Sequence, residues 1–208
     1  VFRRLQAHAP LHAIRDLIVA AAVAEFQELG FAGASMDRVA ARAGVSKRTV
    51  YNHFESKEAL FRAILDLLAA QCNEAFTITY VPGQPIRDQL RALGWAEGRL
   101  ITSAEFMKLV RMVLAETIRS PALAEEMNRK LERIAVFQEF VAAAHADGAI
   151  HAPDAARAAD QFLALIKSQA FWPSVFSGET IGANAMGEIV ESTVDVFLKV
   201  YGLPGDTP

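Results

Sequence analysis

Polar side chains between positions 47 and 53 have the chemistry to bind a nucleic acid. Lysine, arginine, threonine, tyrosine, asparagine and histidine occupy this short run, and Val50 is its one apolar member. In a helix these side chains fall within the first two turns, where hydrogen-bond donors can reach base edges and phosphates. The polar residues of the run are Lys47, Arg48, Thr49, Tyr51, Asn52 and His53.

The neighbouring residues predict a helix-turn-helix that positions this run. Ser35 is placed to cap a short helix over 36–43, Gly44 ends that helix, and Ser46 caps the next one. Ala40 leaves room for the second helix to cross the first. The residues expected to hold the second helix against a three-helix core are Val45, Val50 and Phe54.

Helical periodicity continues on both sides of this motif. Apolar residues recur at three- and four-residue steps from Leu11 to Leu29, and Gly30 ends that helix. Ser56 is expected to cap a longer helix that runs to about Ile78. Serine and proline start signals place further helices over 86–101, 104–119, 121–146, 154–177 and 181–201. Because no alternating β pattern is found, the predicted fold is all-α with nine helices.

The composition is that of a globular protein with an uneven charge. The chain has 208 residues, of which 52% are hydrophobic, and this excludes a disordered or low-complexity chain. Its net charge is −3, yet the first 57 residues carry eight basic and five acidic side chains. That distribution suits a small polyanion-binding module on an acidic body. Apolar runs fall far short of the roughly 20 residues that a bilayer requires, so we expect a cytoplasmic protein.

Between Ile14 and Phe61 the chain resembles the tetracycline-repressor (TetR) family of bacterial transcription regulators. The resemblance is strongest from Val45 onwards, where the sequence reads VSKRTVYNHFESKEALF. The glycine turn, the Tyr-x-His-Phe cluster and the Ser-Lys-Glu-Ala-Leu opening occur together at the spacing of that family. Further along, Pro121-Ala122-Leu123 and Phe171-Trp172-Pro173 resemble the AefR-like subgroup. The resemblance implies a helix-turn-helix DNA-binding domain over 1–56 and an effector-binding and dimerisation domain over 57–208.

The resemblance also implies roles in binding double-stranded DNA. Lys47, Arg48 and Tyr51 would meet base edges in the major groove, where lysine or arginine suits guanine and an aromatic edge suits a thymine methyl. The residues that would touch phosphates are Ser35, Thr49, Asn52, His53 and Lys57. Arg38 and Arg42 are interpreted as solvated rather than base-reading. The family varies most at several of these positions, so it does not imply an operator sequence.

In this family the second domain binds a small effector, and the apolar residues here suggest a hydrophobic one. The candidate lining residues are Trp95, Phe106, Met107, Val110, Leu114, Phe137, Phe140, Val141 and Trp172. Taken singly, each is better explained as plain core. A polar contact to the effector has five unranked candidates, Glu97, Glu105, Glu116, Arg111 and Gln138.

The last two predicted helices carry apolar stripes that the family uses to form a four-helix dimer interface. The stripe residues are Ala159, Phe162, Leu163, Ile166 and Ala170 in one helix and Ile189, Val190, Val194, Phe197, Leu198 and Tyr201 in the other. In a two-fold dimer the two recognition helices, which carry residues 47–53 of each subunit, lie about 34–36 Å apart, a distance of one DNA turn. The expected function is therefore a homodimeric repressor on a near-palindromic operator, released by a small hydrophobic effector.

Two other classes of function compete with this expectation. An enzyme has little support, because phosphate-loop, dinucleotide and nucleophile-turn motifs are missing and neither His8 with His12 nor His145 with His151 forms a convincing metal site. No cofactor is expected, and the single cysteine, Cys72, is interpreted as a buried thiol. A relic that no longer binds DNA should have lost the outward donors, which are present here. Activation rather than repression stays open.

Overall fold

The computed structural model describes residues 11–75, 77–131 and 136–203. Within these ranges the backbone is helical with no β-strand. The helices are α1 (Leu11–Gly33), α2 (Met36–Ala43), α3 (Lys47–His53), α4 (Lys57–Ala75), α5 (Ile86–Ile101), α6 (Ala104–Thr117), α7 (Pro121–Leu131), α8 (Val136–Ala146), α9 (Ala155–Ile166), α10 (Trp172–Ser177) and α11 (Ala183–Tyr201). A π-helical turn, Lys167–Phe171, joins α9 to α10, so these eleven segments make ten helices in the described part of the chain.

The predicted all-α fold is confirmed, with one helix more than the nine expected. Within the range 121–146 the structure describes α7 and α8, and residues 132–135 between them lie outside the described ranges. The predicted helix starts hold, because Ser103 Oγ accepts a hydrogen bond from Phe106 N at 3.3 Å and Ser120 Oγ accepts one from Leu123 N at 3.4 Å. Serine caps are short-range features, which is why sequence alone located them.

The described residues divide into two compact units. One unit contains those of residues 1–68 together with Met112–Lys130, and the other contains those of Ala69–Arg111 and of residues 131–208. In the first unit, α1, α2 and α3 pack together with the start of α4. Phe26 and Phe61 are fully buried there, and the ring of Phe31 meets both edge-on at 5.4 Å.

The second unit has its core between α5, α8, α9 and α11. The ring of Phe162 on α9 lies 5.3 Å from Phe197 on α11 and 6.2 Å from Phe137 on α8. Glycines let α11 approach α5 closely, because a Cβ at Gly94 would lie 3.0 Å from Val190 and one at Gly98 would lie 3.1 Å from Met186. A larger residue at either position therefore pushes the two helices apart.

None of the helices in the described ranges combines the length and the apolar character that crossing a bilayer demands.

Candidate nucleic-acid interface

The turn between α2 and α3 has the geometry expected of a helix-turn-helix. Ser35 caps α2 by accepting a hydrogen bond from Arg38 N at 3.3 Å, and Ser46 caps α3 by accepting one from Thr49 N at 3.0 Å. Gly44 between the two helices is left-handed, with φ 67° and ψ 28°. Only glycine adopts this backbone conformation readily, so the sharp turn depends on it.

Buried apolar residues hold α3 against α1 and α2. Val50 is fully buried, Phe54 at the end of α3 is 5% exposed, and Ala40 on the facing side of α2 is 2% exposed. The guanidinium of Arg15 on α1 lies 5.3 Å above the Phe54 ring. These contacts were anticipated for Val50, Phe54 and Ala40, whereas Val45 is half-buried. The orientation of α3 is thus set by its apolar side, and its polar side faces outward.

The predicted base-reading residues lie on that outward side. Lys47, Arg48 and Tyr51 are exposed, and the Tyr51 side chain leaves 52% of its surface open to solvent. Asn52 is exposed too, while His53 is half-buried. A short helix that shows lysine, arginine, tyrosine and asparagine on one face can enter a major groove and offer donors to base edges.

Lys47 has an ionic partner within the motif. Its Nζ lies 2.6 Å from a carboxylate oxygen of Asp37 in the first turn of α2, and both side chains are more than half exposed. An exposed pair of this kind contributes little to stability. It does, however, place a negative charge beside the start of α3, where a DNA phosphate or base edge would compete for the lysine.

Three of the predicted phosphate-binding residues also make contacts within the folded domain. The hydroxyls of Ser35 and Thr49 take part in the helix caps, with Thr49 Oγ1 2.7 Å from Ser46 Oγ. The ammonium of Lys57 donates to the carbonyls of Ala32 and Ala34 at 3.4 and 3.3 Å and lies 4.6 Å from the ring centre of Phe31. Lys57 therefore ties the start of α4 to the turn before α2.

Glu25 is a residue of this surface that the sequence analysis missed. Its carboxylate on α1 is 1% exposed, and it accepts a hydrogen bond from Arg38 Nε and an ionic contact from Arg42 at 3.5 Å. Burial by itself raises the pKa of Glu25, but hydrogen bonding to Arg38 and the charges of Arg38 and Arg42 outweigh it and lower that pKa. The signal was weak, because the partners lie 13 and 17 residues away in sequence.

Arg38 and Arg42, interpreted as solvated rather than base-reading, are exposed, and the same contacts also pair them with α1. Arg38 also donates to the carbonyl of Gly33, and Arg42 pairs with Glu28 on α1. Both arginines therefore join α2 to α1, and the pairing holds α2 in place beneath the recognition helix. Their side chains stay 50% and 38% exposed while they satisfy the Glu25 carboxylate, because a buried carboxylate without partners is strongly unfavourable.

The predicted effector residues occupy several places in the structure. Six are buried on α6 and α8, namely Phe106, Met107, Val110, Phe137, Phe140 and Val141. Trp95 on α5 is half-buried and packs beside Gly98 and Gly187. Leu114 is half-buried and belongs to the first compact unit. Trp172 is 45% exposed and stacks on Phe176, with ring centres 6.2 Å apart.

The five polar candidates differ sharply in their surroundings. Glu97 is 7% exposed, whereas Glu105 and Gln138 are exposed. Glu116 lies 3.7 Å from Arg119, and Arg111 donates to the carbonyl of Ser174 at 3.1 Å. Glu97 is thus the buried carboxylate of the group.

The stripes predicted to form the dimer lie mostly inside the subunit. On α11 the buried members are Val190, Val194, Phe197 and Leu198, and on α9 they include Phe162 and Ile166. A different apolar set is exposed, consisting of Trp172 and Phe176 on α10 and Val196 and Val200 on α11. Periodicity identified apolar stripes correctly, but it could not tell which stripe packs within the chain.

The weak metal candidates gain no support from the geometry. The rings of His145 and His151 are 5.7 Å apart, and His145 Nδ1 lies 3.3 Å from the Ile150 carbonyl oxygen. Searching the described ranges finds no cluster of three or more residues placed to hold a metal ion. The pair of His8 and His12 lies outside the described side chains. Cys72 is buried, and this burial together with the Glu97 charge raises its pKa to about 12, as befits an unreactive thiol.

Two known protein families match the chain over separate ranges. Residues 18–64 match the bacterial regulatory proteins of the tetR family, and residues 88–203 match the C-terminal domain of AefR-like transcriptional repressors. The chain belongs to the TetR family. The residues matched include the whole helix-turn-helix, and the family is one of transcriptional regulators.

Solved TetR-family structures share the fold. A TetR-family regulator from Pseudomonas syringae is 43% identical, covers 91% of this chain and 97% of its own, and superposes with a TM-score of 0.79. The flavonoid-responsive regulator FrrA is 29% identical, covers 92% of this chain and 98% of its own, and has a TM-score of 0.71. RutR from Escherichia coli is 30% identical over 125 residues, 58% of this chain. This chain spans 56% of the length of RutR.

Proposed function

We propose that this TetR-family regulator is a repressor that binds a near-palindromic operator as a homodimer and is released by a small hydrophobic effector. Residues 1–56 bind DNA, and residues 57–208 bind the effector and form the dimer. The observation that carries the proposal is the outer face of α3, where exposed Lys47, Arg48 and Tyr51 surround the buried anchor Val50. Acting on bacterial DNA, the protein works in the cytoplasm.

On this proposal the side chains divide between base reading and phosphate contact. Lys47, Arg48 and Tyr51 read base edges, since they are exposed on the face of α3 that would enter the groove. The phosphate contacts come from residues flanking that face, Ser35, Thr49, Asn52, His53 and Lys57. The ammonium of Lys57 has three donors, so a phosphate can share it with the carbonyls it now meets.

Three features support a hydrophobic effector in the second domain. The candidate residues on α6 and α8 are apolar and buried, the matching family is described as one of repressors, and the relative FrrA is described as responsive to flavonoids. The proposed lining is Trp95, Phe106, Met107, Val110, Leu114, Phe137, Phe140, Val141 and Trp172. An effector weakens DNA binding only to the extent that it prefers the conformation that does not fit the operator.

Exposed apolar residues on the last helices support a two-fold dimer. Trp172 and Phe176 are one helical turn apart on α10, and Val196 and Val200 are one turn apart on α11. Phe176 is 83% exposed and Val200 is 64% exposed. Apolar faces of this kind are buried when they meet a second copy, and a two-fold dimer places two recognition helices about 34–36 Å apart.

The proposal is tested by selecting binding sites from fragmented genomic DNA. Wild type is compared with a Lys47→Ala/Tyr51→Ala variant over a salt series, and Arg99→Ala, which removes an exposed charge from α5, is the matched control. We expect wild type and the control to recover the same near-palindrome with binding that weakens steeply with salt, and the double variant to recover none. Recovery of no enriched site by wild type would refute DNA-binding function.

A further inference from the structure

Glu97 is a buried carboxylate without adequate partners. It lies on α5 and is 7% exposed, and no hydrogen bond reaches its carboxylate from any residue that the structure describes. Its ionic neighbour is Lys167, whose ammonium is 4.0 Å away and whose side chain is 41% exposed. A hydrogen bond to this carboxylate needs a closer donor than Lys167 provides.

This arrangement is costly for the fold. Buried polar side chains ordinarily have at least one hydrogen-bond partner, and buried charges are ordinarily paired. Burial raises the pKa of Glu97, and the Lys167 charge offsets only part of that rise. An apolar residue of similar size in place of an incompletely paired buried charge is often neutral or stabilising. Stability therefore gives no reason for a glutamate at this position.

A second, independent feature lies at the same place. Lys167 begins the π-helical turn Lys167–Phe171, which interrupts an otherwise α-helical run from α9 to α10. Turns of this kind are rare and occur frequently at functional sites, because the extra residue shifts the side chains that follow it. The turn begins directly after Ile166, a fully buried residue whose side chain lies close to Gly94 on α5.

We propose that Glu97 is the polar anchor of the effector site and that the effector is an apolar molecule carrying a neutral hydroxyl or N–H donor. The inference rests on the proposed effector-binding function of residues 57–208. A cation is disfavoured because it would meet the Lys167 ammonium 4.0 Å from the carboxylate, and an anion is disfavoured because it would meet Glu97. A neutral donor instead supplies the hydrogen bond that the carboxylate lacks.

Matched probe pairs test this anchor. The probes are a phenol, a naphthol and a biphenylol, each beside its own methyl ether, which keeps the ring but lacks the donor. Dissociation constants are measured by titration calorimetry with wild type, Glu97→Leu, Glu97→Gln and the control Glu105→Gln, whose side chain is 80% exposed. Thermal unfolding checks that Glu97→Leu is at least as stable as wild type.

We expect wild type and Glu105→Gln to bind at least one hydroxyl probe about tenfold more tightly than its ether. Glu97→Leu should lose that preference by weakening the hydroxyl probe alone, while Glu97→Gln, which keeps an oxygen acceptor, should retain part of it. The inference is overturned if Glu97→Leu and Glu97→Gln both keep the full preference. Equal binding of hydroxyl and ether by wild type, or no hydroxyl probe bound at about 1 mM, overturns it too.

The same preparations are tested for operator binding, which separates this inference from the proposed function. If wild type selects an operator but binds the hydroxyl and ether probes equally, Glu97 is not the anchor and the proposed DNA-binding function still stands. If wild type prefers the hydroxyl probe to its ether but selects no DNA, the role of Glu97 is supported and the DNA-binding proposal is refuted.

Discussion

The substitution Glu25→Gln is expected to loosen the helix-turn-helix without touching its DNA-facing side. Glu25 is the buried carboxylate that joins α1 to Arg38 and Arg42 on α2. The amide of glutamine keeps the shape of the side chain, but it lacks the charge and brings an N–H₂ group against two guanidinium groups. Glu28 on the same helix pairs with Arg42 but is 60% exposed, so Glu28→Gln is a matched control.

The size of the stability loss in Glu25→Gln depends on how exposed the arginine partners of Glu25 are. A hydrogen bond to a charged group contributes about 1.5–3 kcal/mol, and leaving a buried charge unpaired costs more. Arg38 is 50% exposed in its side chain, so water replaces part of the lost contact, and we expect a net loss of about 2 kcal/mol. For a chain of this size that corresponds to a melting temperature lower by about 4–8 °C.

Urea unfolding followed by circular dichroism gives the difference in stability at neutral pH. The lowered pKa of Glu25 sets the pH dependence. The stability that the ionised Glu25 contributes is fully present above its ordinary pKa of 4.5 and is lost as the pH falls through its lowered folded-state pKa. The stabilities of wild type and Glu25→Gln should therefore converge in acid. If Glu25→Gln is no less stable than Glu28→Gln at pH 7, the assignment of Glu25 as a positioning residue is refuted.

Three further outcomes follow from the structure. Phe162→Ala removes a fully buried ring between Phe137 and Phe197 and should cost about 3–5 kcal/mol in urea unfolding, and a loss below about 1 kcal/mol would show that the core was misjudged. Val196→Glu with Val200→Glu should convert a particle of twice 22.7 kDa to one of 22.7 kDa in light scattering, and a persistent dimer would place the interface elsewhere. Asp37→Asn removes the carboxylate that competes with DNA for Lys47, so operator affinity should rise several-fold, and unchanged binding would show that Lys47 does not reach DNA.

Much of the first domain could be predicted because its signals are local. Ser35 and Ser46 bond to backbone N–H groups three residues away, and Gly44 turns the chain by its own conformation. These features depend on a few adjacent residues, as does the apolar periodicity that predicted an all-α fold. The motif from Val45 to Phe61 then identified the family, and the family matches confirm it.

What a local pattern misses is the identity of distant partners. The pairing of Arg38 with Glu25, 13 residues away, could not be predicted because the two residues come together only when α1 and α2 pack. Likewise, the sequence offered Glu97 as one of five polar candidates without distinguishing among them. Only the fold shows that Glu97 is 7% exposed and lies 4.0 Å from Lys167, 70 positions along the chain.

Short-range sequence therefore specifies the helices, their caps, the recognition turn and the outward donors of α3, since hydrogen bonding within one turn and 3.6-residue periodicity need no distant contact. Packing alone decides which apolar stripe is core and which is surface. On α11, Val194 and Val196 are both valines two positions apart, yet one is fully buried and the other 41% exposed. The physical reason is that burial and ionic pairing are properties of the side chains that surround a residue, and long-range packing brings those together.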